Sequence, residues 1–407
     1  ASLSLIGFHL EQAGHRVHYI GVTDLSLRWM IWRDCLIVLG KPFLNAMPFR
    51  LMKRRNCKFG VVHTEGAMGS AYLEDSSEYL DLVFFWNIHD EKLFQKRFPN
   101  FKGVCKTLGT PRTDLLYITQ FLEKSQKSRV EGRPSLLVTS PGGYLDRTKK
   151  DIAHKRKQML ELSDGKIDLD IFLKNERLSK KMIADFVFNV HSLGYDVLFK
   201  PHPNESQKYW LEKFSGLASV TFVESSIEKA LKSCSVLIGM TYCQTLIDAR
   251  LSGKLSLGLD TPLMESFFPN QWLQSTPYRF SSASNAINFL EPLGLSDIKR
   301  LVSMDTVSRE LHQYVERFFF VVDGCRARAY SEAISNFLER KKYNDLRSEE
   351  FKIVNEILYG ITISLKSIVM KCKLFLGLYK LRHRNSFSNN KVFHENFLDD
   401  YKAFLRD

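Results

Sequence analysis

Short apolar runs alternate with stretches of helical periodicity along most of this chain. A parallel sheet covered by helices produces such runs, because its strands are buried on both faces. In the first hundred residues the apolar runs are Val17–Ile20, Cys35–Leu39, Phe59–Val62 and Leu82–Trp86. A helical pattern over 48–56 separates two of these runs, and another over 91–97 follows the last of them. Strands that alternate with helices predict a doubly wound α/β domain.

A second series of the same kind follows a break at Gly109 and Pro111. Its strands are predicted at 135–139, 196–200, 220–223, 236–238 and 255–259, and its helices at 182–193, 307–320 and 326–338. The basic stretch 144–181 has weak periodicity and predicts a loop-and-helix insertion. We therefore predict an α/β protein with one Rossmann-like domain over 1–110 and a second over 111–340.

The segment 341–407 has a different pattern and forms a basic helical tail in this prediction. Between Lys366 and Arg384 it carries six Lys or Arg residues and no acid, with apolar residues at helical spacing. A basic amphipathic helix of this kind is typical of contact with an anionic membrane surface. A helix docked on the protein itself, or on a further module, explains the pattern equally well.

Charge and cysteine usage narrow the class of partner. The formal net charge is +13 at pH 7, which favours phosphates, an anionic sugar donor, anionic lipid or nucleic acid. No nucleic-acid-binding motif is present, so we predict no nucleic-acid partner. The seven cysteines form no Cys-x-x-Cys pair, which fits a reducing compartment and no metal cluster. No secretory signal and no membrane-spanning apolar run are visible, so a soluble or peripheral cytosolic protein is expected.

The chemistry is predicted where the strands of the second domain end. Pro201 and Pro203 stop a strand and hold His202 at its carboxyl end, where open α/β sheets place their ligands. The segment from Thr241 to Thr245 opens the helix after the next buried strand, and a helix start can seat a phosphate. The plainer alternative is a Pro-His-Pro turn beside an ordinary helix capped by a threonine.

Residues around these two segments have candidate roles of their own. Lys200 adds positive potential beside His202, and Glu205 is predicted to hold His202 or a ribose hydroxyl. Ser225 and Ser226 precede a helix, which they either cap or help to bind phosphate.

Two further strand ends carry candidate catalytic groups. Glu65, beside Gly66, is a candidate base or nucleophile, with a helix-start acid as the alternative. Gly142 and Gly143 form a loop, and Asp146 lies just beyond it, either facing a cleft or as a solvated charge. The chain has no Walker loop, no Cys/His metal cluster and no Gly-x-Gly-x-x-Gly fingerprint, which argues against a P-loop NTPase, a zinc enzyme and a typical NAD dehydrogenase.

Three stretches resemble motifs of bacterial surface-carbohydrate biosynthesis proteins with the GT-B glycosyltransferase fold: 58–66, 108–116 and 200–205. They match a strand ending in acidic-acidic-Gly, a Gly-x-Pro-Arg-x-Asp-Leu-Leu segment and a His-Pro motif. The resemblance covers about 1–338. It implies two Rossmann-like domains that face each other across a cleft, with the acceptor on the 1–110 side and the nucleotide-sugar donor on the 111–340 side.

The order of an acidic-Gly motif and a later His-Pro motif is also similar to CMP-Kdo and CMP-sialic acid transferases, above all those of the retaining β-Kdo type. In that resemblance His202 contacts the CMP phosphate, Ser225 and Ser226 help to bind it, and Glu65 serves catalysis. The first acidic position is Thr64 here. A retaining reaction would use a carboxylate nucleophile at the position of Asp146 with Glu65 as acid/base, whereas an inverting one would need Glu65 alone.

The resemblance implies an enzyme that moves an acidic sugar, with Kdo favoured, from a CMP donor to a lipid-linked surface polysaccharide such as lipopolysaccharide O-antigen or capsule. Such an enzyme is expected at the cytoplasmic face of the bacterial inner membrane, without a metal or other cofactor. The alternatives are a UDP- or GDP-sugar glycosyltransferase and a CDP-alditol phosphotransferase of the same fold. A non-catalytic nucleic-acid-binding protein, explained by charge alone, is the third hypothesis.

Overall fold

The computed structural model describes residues 2–19, 34–40, 52–53, 56–62, 77–117, 134–142, 145, 169–203, 205–241, 243–263 and 276–341. Its strands are β1 (Leu36–Leu39), β2 (Lys58–Val62), β3 (Leu82–Phe85), β4 (Val104–Thr107), β5 (Leu136–Thr139), β6 (Val197–Lys200), β7 (Val220–Phe222), β8 (Val236–Met240), β9 (Leu255–Leu259) and β10 (Tyr278–Phe280). Its helices are α1 (Ser2–Gln12), α2 (Ile88–Arg97), α3 (Leu169–Ser192), α4 (Gln207–Lys213), α5 (Ile227–Leu231), α6 (Gln244–Leu251), α7 (Ala283–Leu290), α8 (Leu295–Thr306), α9 (Arg309–Phe319) and α10 (Arg326–Lys341).

The chain divides into two compact units. Among the described residues, the first comprises those up to Asp114 and those from Val315 to Lys341, and the second comprises those from Leu115 to Tyr314. Each unit holds its own parallel sheet flanked by helices. The α/β fold with two Rossmann-like domains is therefore confirmed.

The described strands of the first unit form a parallel sheet in the order β1-β2-β3-β4. All of β3 is buried, and β2 is buried from Phe59 onward, as expected for strands covered on both faces. Helix α2 connects β3 to β4. Its N-cap is Asn87, whose side chain accepts the backbone N–H of Asp90 at 2.9 Å, and acids begin the helix while Lys96 and Arg97 end it.

The last described helix belongs to the first unit. The sequence analysis assigned 326–338 to the second domain, but α10 packs against α1. His15 Nε2 lies 2.8 Å from Ser335 Oγ across this contact. We placed 326–338 in the second domain because it follows the second series of strands in the chain. Its helical pattern does not indicate that it packs against α1.

The stretch 108–116, one of the motifs behind the resemblance, fixes the start of α10. The buried carboxylate of Asp114 accepts the backbone N–H groups of Arg326 at 3.0 Å and Ala327 at 2.7 Å. The hydroxyl of Tyr330 donates to the carbonyl of Gly109 at 2.7 Å. Asp114 thus satisfies two orphan donors of a helix that begins more than two hundred residues later.

The described strands of the second unit form a parallel sheet in the order β10-β9-β8-β5-β6-β7. Strand β5 lies in the middle, with Leu136 opposite both Val197 of β6 and Val236 of β8. The chain runs from β5 outward to β6 and β7, then returns to β8 on the other side of β5. This reversal makes the gap between β5 and β8 the topological switch point of the sheet.

Several elements differ from the sequence prediction. Residues 17–19 form no strand, and Ile20 lies outside the described residues. Helix α3 begins at Leu169, well before the predicted 182, because its polar face obscured the apolar period. Strands β4 and β10 and helices α4, α7 and α8 were not predicted. Within the described part of the chain, no helix combines the length and the apolar character that a membrane crossing requires.

Candidate functional site

The carboxyl edge of the sheet in the second unit collects most of the predicted donor-binding residues. Lys200 ends β6 and His202 follows it, Thr241 follows β8, and Thr245 lies in the first turn of α6. Ligands of open α/β sheets bind at this edge, beside the switch point. The structure therefore brings these residues to one edge of one sheet, as the sequence predicted for parallel strands.

The His-Pro segment forms a tight turn fastened to the end of β5. The N–H of Glu205 donates to the carbonyl of His202 at 2.9 Å, which closes a four-residue turn with the exposed Pro203 at its second position, where proline is favoured. The N–H of His202 donates to Ser140 Oγ at 2.6 Å. The backbone of His202 is thus fixed next to the switch point.

Glu205 is the buried anchor of this turn. Its Oε2 accepts the Ser140 hydroxyl, the N–H of His202 at 3.2 Å and Trp210 Nε1–H at 3.1 Å. Lys180 Nζ lies 3.5 Å from Oε1, and both side chains of this pair are almost inaccessible. Burial raises the pKa of Glu205, against the Ser140 hydrogen bond and the Lys180 charge. Of the two roles left open by the sequence, this geometry supports holding His202.

Lys200 and the serine pair join the ends of β6 and β7. Lys200 Nζ donates to the carbonyl of Ser225. Burial lowers the pKa of Lys200, and the carboxylate of Glu228 opposes that shift. Ser226 is the N-cap of α5, with its hydroxyl accepting the N–H of Lys229 at 3.4 Å. Ser226 therefore has the capping role that the sequence offered as one of two alternatives.

Two threonine hydroxyls lie close together at the switch point itself. Thr139 Oγ1, at the end of β5, is 3.4 Å from Thr245 Oγ1. The N-cap of α6 is Cys243, and no side chain forms a cap hydrogen bond there. Neither predicted threonine caps this helix. Its first-turn N–H groups and the Thr245 hydroxyl are consequently placed as a phosphate seat requires.

Thr241 has a different environment from Thr245. It is fully buried, and its hydroxyl donates to Asp260 and contacts the carbonyl of Leu259 at 3.4 Å. Asp260 in turn accepts Arg279 Nε at 2.8 Å. Thr241 therefore ties β8 to β9 and β10 beneath the edge, and its hydroxyl is committed to the protein.

Sequence analysis missed the polar face of α3. Asn175, Glu176 and Lys180 are buried on it, and each meets a different strand end. Asn175 Oδ1 accepts the Thr261 hydroxyl after β9, Glu176 Oε1 accepts the N–H of Leu145 at 3.1 Å, and Lys180 pairs with Glu205. Helix α3 therefore braces three loops at the carboxyl edge. Polar residues at spacings of one, four and five within an apolar helix could have indicated this face.

The predicted catalytic residues, Glu65 and Asp146, lie outside the described residues, as does Gly143. Gly142 is described, and its φ of +136° is one that glycine adopts readily. Gly142 lies two residues after Ser140, in the same loop whose Ser140 hydroxyl accepts the N–H of His202.

No model of a known protein family matches the sequence, and no curated protein matches it. Among solved structures, a variant of the wall teichoic acid polymerase TagF is similar at 10% identity, with TM-score 0.45 over 84% of this chain and 87% of that chain. S. aureus MnaA with UDP is 10% identical, with TM-score 0.42 over 83% and 84%. Anabaena HepE with UDP and glucose is 10% identical, with TM-score 0.33 over 75% and 78%. At these values the likenesses assign no function to this chain.

Proposed function

We propose that the chain is a glycosyltransferase that binds a nucleotide-sugar donor at the carboxyl edge of the second unit's sheet. The observation that carries the proposal is the fixed His-Pro turn after β6 together with the start of α6 after β8, which has no side-chain cap. A histidine and a helix N-terminus at the ends of the two strands that flank β5 are both suited to phosphate oxygens. Ser140 and Glu205 hold the turn, so the backbone of His202 is fixed before a ligand arrives.

Each group at this edge of the sheet has its own role in the proposed donor binding. His202, after β6, supplies a hydrogen bond or a positive charge to the phosphate. Thr245 and the first turn of α6 supply donors from the opposite side of β5. Gly142 supplies backbone in the loop after β5. Lys200 contributes positive potential, although its ammonium group is bound to the Ser225 carbonyl.

The finer assignment is a CMP-activated acidic sugar, with Kdo favoured, and a lipid-linked glycan acceptor. Its support is the resemblance of the acidic-Gly and His-Pro motifs, together with the net charge of +13 that suits an acidic donor and a phosphorylated acceptor. Glu65 is the acid/base, and Asp146 is the nucleophile of a retaining reaction. We further propose that the enzyme acts at the cytoplasmic face of the bacterial inner membrane and requires no metal ion.

Calorimetric titration of the full chain with CMP, UDP, GDP and CDP, without added metal, tests the donor. We expect CMP to bind most tightly. We also expect His202→Ala to weaken CMP binding roughly tenfold to a hundredfold, because a hydrogen bond to a charged phosphate is lost. His89→Ala is the matched control, since His89 is exposed on α2 of the first unit.

The other outcomes separate the alternatives. Preference for UDP or GDP would keep the transferase and replace the donor, and preference for CDP would indicate an alditol phosphotransferase. Nucleotide binding that is unaffected by His202→Ala would remove His202 from the site. An absence of nucleotide binding would overturn the proposed function.

A further inference from the structure

The first unit has an open groove of about 460 Å³ between β4 and α2. None of the predicted site residues lines it. Its lining combines one aromatic ring with polar and charged side chains, among them Glu91, Lys92, Gln95, Lys106 and Phe320. The volume lies within the range of pockets that bind small molecules.

Phe320, on the groove, has a strained backbone. Its φ is +69°, and the N–H of Val321 donates to the carbonyl of Phe319 at 2.8 Å. An i to i+2 hydrogen bond around a residue of positive φ defines the rare, strained form of the γ-turn. A bulky residue in this region costs of order 1–3 kcal/mol, and such strain is concentrated at ligand sites. Phe320 is nevertheless 38% exposed, so the strain is not offset by full burial of the ring.

The surroundings hold the turn in this conformation. An added Cβ on Gly109 would lie 2.8 Å from the carbonyl oxygen of Phe319, so a side chain at that position would displace the turn. Arg326 donates to the carbonyl of Leu108 at 3.3 Å and to Asp323 at 2.9 Å. The strand end and the start of α10 therefore hold the backbone of the turn at Phe320.

The side chains that line the groove carry a net positive charge, because they include two lysines and one carboxylate. Glu91 Oε2 accepts the Thr107 hydroxyl at 2.5 Å, and its Oε1 accepts Gln95 Nε2 at 3.1 Å, so this carboxylate already has two partners. Within the described part of the chain, no carboxylate forms an ion pair with Lys92 or Lys106. Lys106 is half-buried on β4, where an anion would meet its ammonium group with reduced screening.

We propose that this groove binds a phosphorylated sugar, with the ring against Phe320 and the phosphate on Lys92 and Lys106. The apolar C–H face of a pyranose packs on an aromatic ring, and Gln95 and Glu91 offer hydrogen-bonding groups to the hydroxyls. Two lysines supply the charge that a phosphate monoester requires. That this sugar phosphate is part of the acceptor rests on the proposed function, whereas its binding to the groove does not.

Titration of the full chain with glucose 1-phosphate, glucose and inorganic phosphate, followed by calorimetry, tests the groove. We expect glucose 1-phosphate to bind most tightly. Lys106→Ala should weaken it roughly tenfold to a hundredfold through the lost charge-assisted hydrogen bond. Phe320→Gly should also weaken it, while the variant folds at least as well, because glycine adopts φ +69° without strain. Lys96→Ala is the matched control, as Lys96 is exposed on the same helix outside the lining.

Several results would overturn this proposal. They are no binding of glucose 1-phosphate, binding no tighter than that of inorganic phosphate, and an equal loss in Lys96→Ala. Loss of CMP binding in Phe320→Gly would also overturn it, by making the groove a nucleotide site. Binding of glucose 1-phosphate without any nucleotide binding would support the groove as a sugar-phosphate site and would contradict the proposed function. The two failures are therefore distinguishable.

Discussion

Each unit contains a strand end with proline, followed by a buried carboxylate that accepts backbone N–H groups. In the second unit Glu205 accepts the N–H of His202, three residues before it in the chain. In the first unit Asp114 accepts the N–H groups of Arg326 and Ala327, from a distant helix. Glu205 therefore positions a local turn, whereas Asp114 attaches the start of α10 to a segment more than two hundred residues earlier in the chain.

The two carboxylates also differ in their partners. Glu205 has the ammonium group of Lys180 at 3.5 Å and two side-chain donors in addition. Asp114 has two backbone donors, and burial raises its pKa to about 7 against them. A similar sequence pattern thus gives a charge-compensated anchor at the candidate site and a weakly compensated helix cap elsewhere. The difference lies in the third element that reaches the carboxylate, which is α3 in one case and α10 in the other.

The largest expected effect is that of Glu205→Ala. The substitution leaves the buried ammonium group of Lys180 without its carboxylate and removes the acceptor of three donors. Breaking a buried ion pair costs about 3–5 kcal/mol, and we expect this loss in the free energy of unfolding of the second unit, measured in urea.

Glu212→Ala is the control for that measurement, because Glu212 forms an exposed pair with Lys208 at 3.6 Å. Its effect should stay within about 0.5 kcal/mol. The double variant Glu205→Ala, Lys180→Met should recover part of the loss by removing the uncompensated charge. If Glu205→Ala were as mild as Glu212→Ala, Glu205 would not anchor the turn.

The second prediction concerns the pH dependence of the first unit. The pKa of Asp114 is about 7 in the folded chain, against an ordinary 3.8. A raised pKa stabilises the fold fully below the unfolded value, and that contribution is lost as the pH rises through the folded value. The shift corresponds to roughly 4 kcal/mol. The free energy of unfolding of the wild type should therefore fall by that amount, relative to Asp114→Asn, between about pH 4 and pH 8.

Asp114→Asn serves as the reference because it cannot titrate and retains one carbonyl oxygen for the helix N–H groups. Urea unfolding of both chains at each pH gives the difference directly. Parallel curves for the two chains would mean that Asp114 does not titrate in this window. A wild type that gains stability with rising pH would reverse the assignment.

The apolar runs predicted most strands of both sheets, since buried parallel strands such as β5 and β8 leave a clear signal. They did not predict β4 and β10, which lie at sheet edges and are only partly buried. Pro201 and Pro203 likewise predicted the end of β6. The partners of Glu205 could not be predicted, because Lys180 and Trp210 meet it only once α3 and α4 have packed. The same holds for Asp114, whose partners lie on α10. Side chains at strand ends are thus visible in the sequence, whereas the distant residues that fix them are not.

The smallest expected effect is the difference between alanine substitutions at two glycines, one after β4 in the first unit and one after β5 in the second. Gly109 has φ +81°, and a Cβ there would lie 2.8 Å from the Phe319 carbonyl oxygen, whereas Gly142 has φ +136° and no atom of the described residues within 4 Å of an added Cβ. Gly142→Ala should cost only the conformational strain, about 1–2 kcal/mol. Gly109→Ala should cost an additional 1–3 kcal/mol, roughly, from overpacking. Thermal unfolding of the two variants measures the difference, and equal losses would contradict a close approach at Gly109. A larger loss at Gly109 would show that the motif of the first unit is under steric constraint from Phe319 and Arg326, which the loop at Gly142 lacks among the described residues.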